Sequence, residues 1–304
     1  MSARIGGYLP GMSAAVTSLA PASPSFYGPV AQQDDVAGLM DDYRGFLERR
    51  NGRLALDGFE RRHAEVATLD SNPVRFHGTL ENERMLRLHR RLESGASEAE
   101  LLVLCLHDIN AAEEYGVQVT SAAREHLWLR DDPLLRLERW LGHEETFHSK
   151  LLKGSAVHFG VELPSDWQPQ LSHKVVFEIL KKAPPSIFHP VLLAAEVTGL
   201  FVMNWLLKRI EGATTLRPEL RWTLQERVLE VMVDEVGHVA FNRAAMGPTG
   251  MAVSQALSRL VIKGLGDQNK ALVALGMNDA VQGEIGGFDF MDLPAEVRAA
   301  GFFA

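Results

Sequence analysis

Two long stretches of this chain carry the same interruption: a Glu-x-x-His pair set into an otherwise apolar helical stripe. Over residues 216–245 the stripe runs Leu224, Val228, Val231, Glu235, His238, Asn242, in steps of four and three. Over 133–160 it runs Leu134, Leu137, Leu141, Glu145, His148, Leu152. Such spacing lays one side of each helix against a core. Both pairs therefore point inward, one turn apart. Buried charge is costly unless it is compensated, so a fold that keeps these pairs must bring compensation to the same place.

Two further helices supply acids of the same kind. Over 188–211 the inward stripe is Leu192, Glu196, Gly199, Met203, and over 98–128 it is Leu102, Leu106, Ile109, Glu113, Gly116, Thr120. Periodicity favours Glu113 as the inward acid, and Glu114 beside it is the alternative. A third Glu-x-x-His, Glu60 and His63 in "FERRH", has two arginines between its members. Those arginines would repel a dication, so this pair reads as surface.

The order is then Glu, Glu-x-x-His, Glu, Glu-x-x-His on four helices, the arrangement a dinuclear carboxylate site in a bundle core requires. The expected ligands are Glu113, Glu145, His148, Glu196, Glu235 and His238. Four carboxylates balance most of the charge of two divalent ions, and each imidazole offers one neutral nitrogen. Oxygen-rich sites with imidazole suit iron or manganese better than zinc. The expected cofactor is two iron ions, with manganese in one site as the variant. Metal-bound imidazoles usually donate their second N–H to a carboxylate. Glu144 and Asp234, each one residue before a ligand, are the candidates for that role. Small or hydroxyl-bearing neighbours (Gly116, Thr146, Thr198, Gly199) could line a substrate space, and packing explains them equally well.

The remainder of the chain reads as helix around that core. The patterns predict helices near 31–50, 55–67, 81–93, 98–128, 133–160, 172–182, 188–211, 216–245, 250–275 and 294–301, with strand signals scarce. "SEAE" from Ser97 fits a capping box, and "DDP" from Asp131 offers an N-cap with proline behind it. The expected organisation is a flexible N-terminal arm over 1–30 and a single helical domain over 31–304. With 304 residues there is ample length for a core,.

Charge and cysteine usage narrow the setting. A net charge of −8 leaves no basic surplus for phosphates,, and stretches such as "RLHRR" read as solvated helix faces. One cysteine, Cys105, excludes an internal disulfide and any cysteine-based metal site,, which fits a cytoplasmic setting. No apolar run reads as long enough to span a membrane.

On these residues the sequence resembles the ferritin-like di-iron carboxylate proteins, and within them the p-aminobenzoate N-oxygenase family. The resemblance rests on "AAEEYGV", "DDPLLRLERWLGHEETFHSKLL", "HPVLLAAEVTGLFVMNWLL" and "VMVDEVGHVAF", across roughly residues 100–245. It implies an all-α fold with a ferritin-like four-helix bundle core and flanking helices. It also implies an O2-activating oxygenase, with N-oxygenation of an amine as the sharpest form. Hydroxylation, oxidative C–C cleavage and, from another class, ferroxidase or iron-storage activity remain the alternatives. Expected partners are O2, a small-molecule substrate and an external electron donor, with no nucleic acid and no membrane; a homodimer is open to it. The family carries an extra histidine ligand one turn before the last glutamate. Here that position is Val231, and His107 is the nearest replacement by sequence.

Overall fold

The computed structural model describes residues 23–28, 30, 36–51, 80–164, 174, 177, 178 and 180–304. The helix expected over 55–67, most of that over 172–182, and the Glu60/His63 pair lie outside them. Among the described residues the protein is all-helical, with short 3-10 turns and no strand. The helices are α1 (Val36–Asn51), α2 (Asn82–Arg90), α3 (Glu98–Trp128), α4 (Pro133–Val157), α5 (Pro185–Gly212), α6 (Pro218–Ala244), α7 (Pro248–Gln268), α8 (Lys270–Ala274), α9 (Asp279–Gly283) and α10 (Ala295–Ala300).

Local signals set the starts of the long helices. Ser97 and Glu100 form the expected capping box at α3, which satisfies N–H groups that the helix itself cannot. Asp132 accepts from the N–H groups of Leu134 and Leu135, with Pro133 in the first turn of α4. The short link 129–132 folds α4 back along α3, and α5 and α6 pair likewise,. α4 meets α6, and α5 also packs on α7. Away from the acids, Arg124 of α3 forms a buried pair with Glu138 of α4, Nη2 donating to Oε2 at 2.6 Å. The Arg124 guanidinium lies 4.1 Å from the Phe188 ring centre, which ties α5 to the same corner.

Two expectations need correction, and the described residues of the N-terminal stretch add a contact of their own. The arm over 1–30 is docked along its described part: Phe26 is fully buried and its ring meets Phe288 and Phe303 at 5.3 and 5.6 Å. Phe290 N–H donates to the Pro24 carbonyl and Arg243 to that of Gly28. An aromatic ring with a pocket outweighs the glycines and prolines around it. The single helix expected over 250–275 breaks at Asn269. That side chain caps α8 by accepting from Leu272 N–H, and it donates to the Cys105 carbonyl. Finally, α5 is long and apolar enough to cross a membrane by length and composition, although most of its apolar run is buried inside the fold. Its two-sided burial, between α6 and α7, explains the continuous apolarity.

Candidate metal centre

Four helices bring the expected side chains together. One donor atom each from Glu145, Glu196, Glu235 and His238 lies within 4.8 Å of the others. His148 joins them: its Nδ1 is 3.1 Å from Glu235 Oε1 and 3.6 Å from Glu145 Oε2. His238 Nδ1 stands 2.9 Å from Glu145 Oε1, 3.3 Å from Glu235 Oε2 and 3.9 Å from Glu196 Oε2. The two imidazole rings are 5.8 Å apart, centre to centre. Glu113 is the acid of α3 that meets this cluster. It feels the charges of Glu145, Glu235, His148 and His238, and its Oε2 is buried without a hydrogen-bond partner.

The outer acids cross over. His148 on α4 is held by Asp234 of α6, Nε2 to Oδ2 at 3.0 Å. His238 on α6 is held by Glu144 of α4, Nε2 to Oε2 at 3.1 Å. All four of these side chains are fully buried. A carboxylate only accepts, so each Nε2 carries a proton and each Nδ1 is the atom turned toward the cluster. Glu144 and Asp234 thus each accept from the second imidazole N–H of the histidine on the opposite helix.

α1 supports both outer acids, which nothing in its sequence announces. Its last residue, Asn51, donates from Nδ2 to Glu144 Oε1 at 2.8 Å. Arg50 forms an ion pair with Asp234 and donates to the Glu230 carbonyl at 2.9 Å. α1 can approach this closely because position 237 is glycine. A Cβ there would stand 2.9 Å from Tyr43 Cε2 and 3.3 Å from its hydroxyl. Buried Tyr43 in turn packs against Phe46, Phe241 and Phe302.

The electrostatics describe a cage short of positive charge. Burial, then the charges of neighbouring acids, raises Glu113 and Glu196 well above the carboxylate range. Burial also opposes ionisation of Glu145 and Glu235, but the two imidazoles outweigh it and hold both below that range. For His148 and His238 burial disfavours the charged ring, and the surrounding carboxylates overcome it, raising both well above the usual imidazole value. Positive charge, from a proton or a metal ion, is favoured between each Nδ1 and the acids. A proton there gains little from hydrogen bonding, because neither Nδ1 makes a hydrogen bond of acceptable geometry despite the short distances. A metal ion needs no such line. Two donors each about 2.1 Å from a shared ion stand about 3–4 Å apart, the spacing found here. The residues fit a divalent metal.

Some neighbours do other work than expected. Thr146 is exposed and Thr198 buried, and their hydroxyls donate to Gly142 and Ala194 carbonyls within their own helices. A Cβ at Gly116 would meet Phe177 at 3.8 Å, so it is a packing position; one at Gly199 would meet nothing within 4 Å. On α5 the expected stripe is only partly covered: Leu192, Glu196 and Gly199 are half-buried and Met203 is buried. Glu145 and Glu196 keep 17% and 15% of their side-chain surface while both histidines keep none. The cluster's remaining exposure is therefore on its glutamates and not its histidines. Val231 is fully buried. His107 lies in a separate group with His89 and Asp108 and does not replace the missing histidine.

No model of a known protein family, no curated protein and no solved structure matches this chain.

Proposed function

We propose that this protein is an O2-activating dinuclear iron oxygenase of a small organic substrate, built on a ferritin-like four-helix core of α3, α4, α5 and α6. The observation that carries the reading is the crossed pair of buried carboxylate–imidazole contacts. It fixes two Nδ1 atoms on one side of a four-carboxylate cluster. A donor set of four carboxylates and two imidazoles favours iron or manganese over zinc, and such ions, when bound, supply the redox chemistry with O2.

The chain's own residues do the rest. Glu144 and Asp234 hold the Nε2 protons and so fix the orientation of both rings. Asn51 and Arg50 fix those acids in turn. Glu113 and Glu196, on the helices away from the histidines, complete the cage and flank the approach. A substrate approaching from the glutamates meets a cluster whose histidines are sealed from water. At position 231 valine leaves an apolar wall where the resembling family has a ligand, which favours hydroxylation or another oxygenation of a weakly polar substrate over strict amine N-oxygenation.

The test is metal content and oxygen use on purified full-length protein. Two irons per chain and substrate-dependent O2 consumption at limiting iron are expected, with both lost in Glu196→Ala. One tightly held zinc would overturn the site. Iron taken up far beyond two per chain, with no organic turnover, would favour storage.

A further inference from the structure

α3 carries a second set of metal donors that the carboxylate cluster does not use. His107 and Asp108 lie on it, and His89 reaches them from α2. The stretch "RLHRR" reads in sequence as a solvated face, yet His89 turns inward and keeps only 13% of its side-chain surface, with Asp108 at 19%. One donor atom from each of the three lies within 4.8 Å of the others. The His89 and His107 rings meet edge to face, centres 5.0 Å apart and planes at 80°. Neighbouring residues on a helix point about 100° apart, so His107 and Asp108 flank His89 from two sides.

The spacing within this group suits shared coordination. His89 Nδ1 is 3.7 Å from Asp108 Oδ1, too far for an N–H···O bond, which needs about 2.7–3.2 Å. It is within the roughly 4.2 Å that two donors, each about 2.1 Å from one ion, can span. The frame around the three is firm. α2 is held to the start of α3 by Arg84, which pairs with Glu100, and Met85 and Leu88 of α2 are buried. His107 precedes Glu113 by six residues, about 9 Å along the helix, so the two groups share no donor.

We infer that His89, His107 and Asp108 form a mononuclear site for a late first-row divalent cation such as Zn2+, separate from the carboxylate cluster. Two imidazoles and one carboxylate match the donor preference of zinc, whereas the carboxylate-rich cluster does not. Among the described residues the group offers three donors, one short of a tetrahedral ion's four,. The ion would fasten α2 to α3. This inference does not depend on the oxygenase reading, because it uses none of the same residues.

The test uses the metal-free full-length chain titrated with Co2+, whose four-coordinate nitrogen–oxygen complexes absorb visible light far more strongly than six-coordinate ones. One Co2+ with intense bands, displaced one for one by Zn2+, is expected. His89→Ala should weaken it by at least ~100-fold, beyond the 10–100-fold that loss of an outer partner costs. Glu196→Ala should leave those bands unchanged. His89→Gln, on the short helix α2, serves as a second variant should alanine disturb folding, with circular dichroism as the check. Intense bands that are absent from the folded wild type, or that survive in a folded His89 variant, overturn the site. Bands lost in Glu196→Ala and kept in His89→Ala would assign them to the carboxylate cluster and overturn it equally.

Discussion

Glu144 and Glu145 are neighbours in sequence and have opposite tasks, one holding an imidazole from behind and one facing it. The stripe pattern makes Glu145 and Glu235 legible, since each interrupts an apolar face at the same step as its histidine. It cannot show that Glu144 serves His238, and Asp234 serves His148, because crossing depends on how α4 and α6 lie together. Removing one outer acid's charge should loosen one ring and spare the other. Glu144→Gln and Asp234→Asn are each expected to lower metal affinity about 10–100-fold with the helical content kept, as read by titration of the metal-free chain. Affinity equal to wild type in both would show that the acids are bystanders. The choice between Glu113 and Glu114 is tested the same way. Glu113 feels the charges of the cluster, so Glu113→Gln should impair metal loading far more than Glu114→Gln; the reverse ranking would mean the face of α3 is misassigned.

The long helices were legible from capping and periodicity, and α3 in particular has the expected ends. What stayed hidden at the level of elements is the role of α1. Arg50 and Asn51 lie more than 90 residues from the acids they hold, and no local pattern links residues so distant. The break at Asn269 was hidden for a similar reason, since its cap is reinforced by a tertiary contact with α3. Gly237 is where α1 can be tested as a unit. Alanine there would gain about 1 kcal/mol of helix propensity and would meet the Tyr43 ring at 2.9 Å. Tyr43 is boxed in by Phe46, Phe241 and Phe302 and has little room to give way, so overpacking, typically about 1–3 kcal/mol, wins. Gly237→Ala should lower the melting temperature and also weaken metal binding, by moving Arg50 and Asn51 off their acids. A variant as stable as wild type with unchanged metal affinity would show that α1 is not seated against α6 as described.

For the molecule as a whole, the metal-free cage links folding to pH. Glu113, Glu196, His148 and His238 all have folded-state pKa values raised above their ordinary ones. The folded chain thus keeps protons that the unfolded chain releases, above about pH 4.5 for the carboxyls and about 6.5 for the imidazoles. Stability falls with pH wherever the folded state binds more protons. Glu145 and Glu235 are shifted down and act in the opposite sense, but only as pH falls below about 4.5. The metal-free protein should therefore lose stability from pH 6 to pH 8. A divalent metal bound to the proposed site would replace those protons, and it would bind better as pH rises because the ligands must be deprotonated. An ion at 100 times its Kd adds about 2.7 kcal/mol, which for a chain of this size is several degrees of melting temperature. Melting curves at pH 6 and pH 8, with chelator and with excess Mn2+, measure both effects. The chelated protein should melt lower at pH 8, and the gap opened by Mn2+ should be wider there. A gap that is equal at the two pH values, or narrower at pH 8, would mean that protons and metal do not compete for one cage.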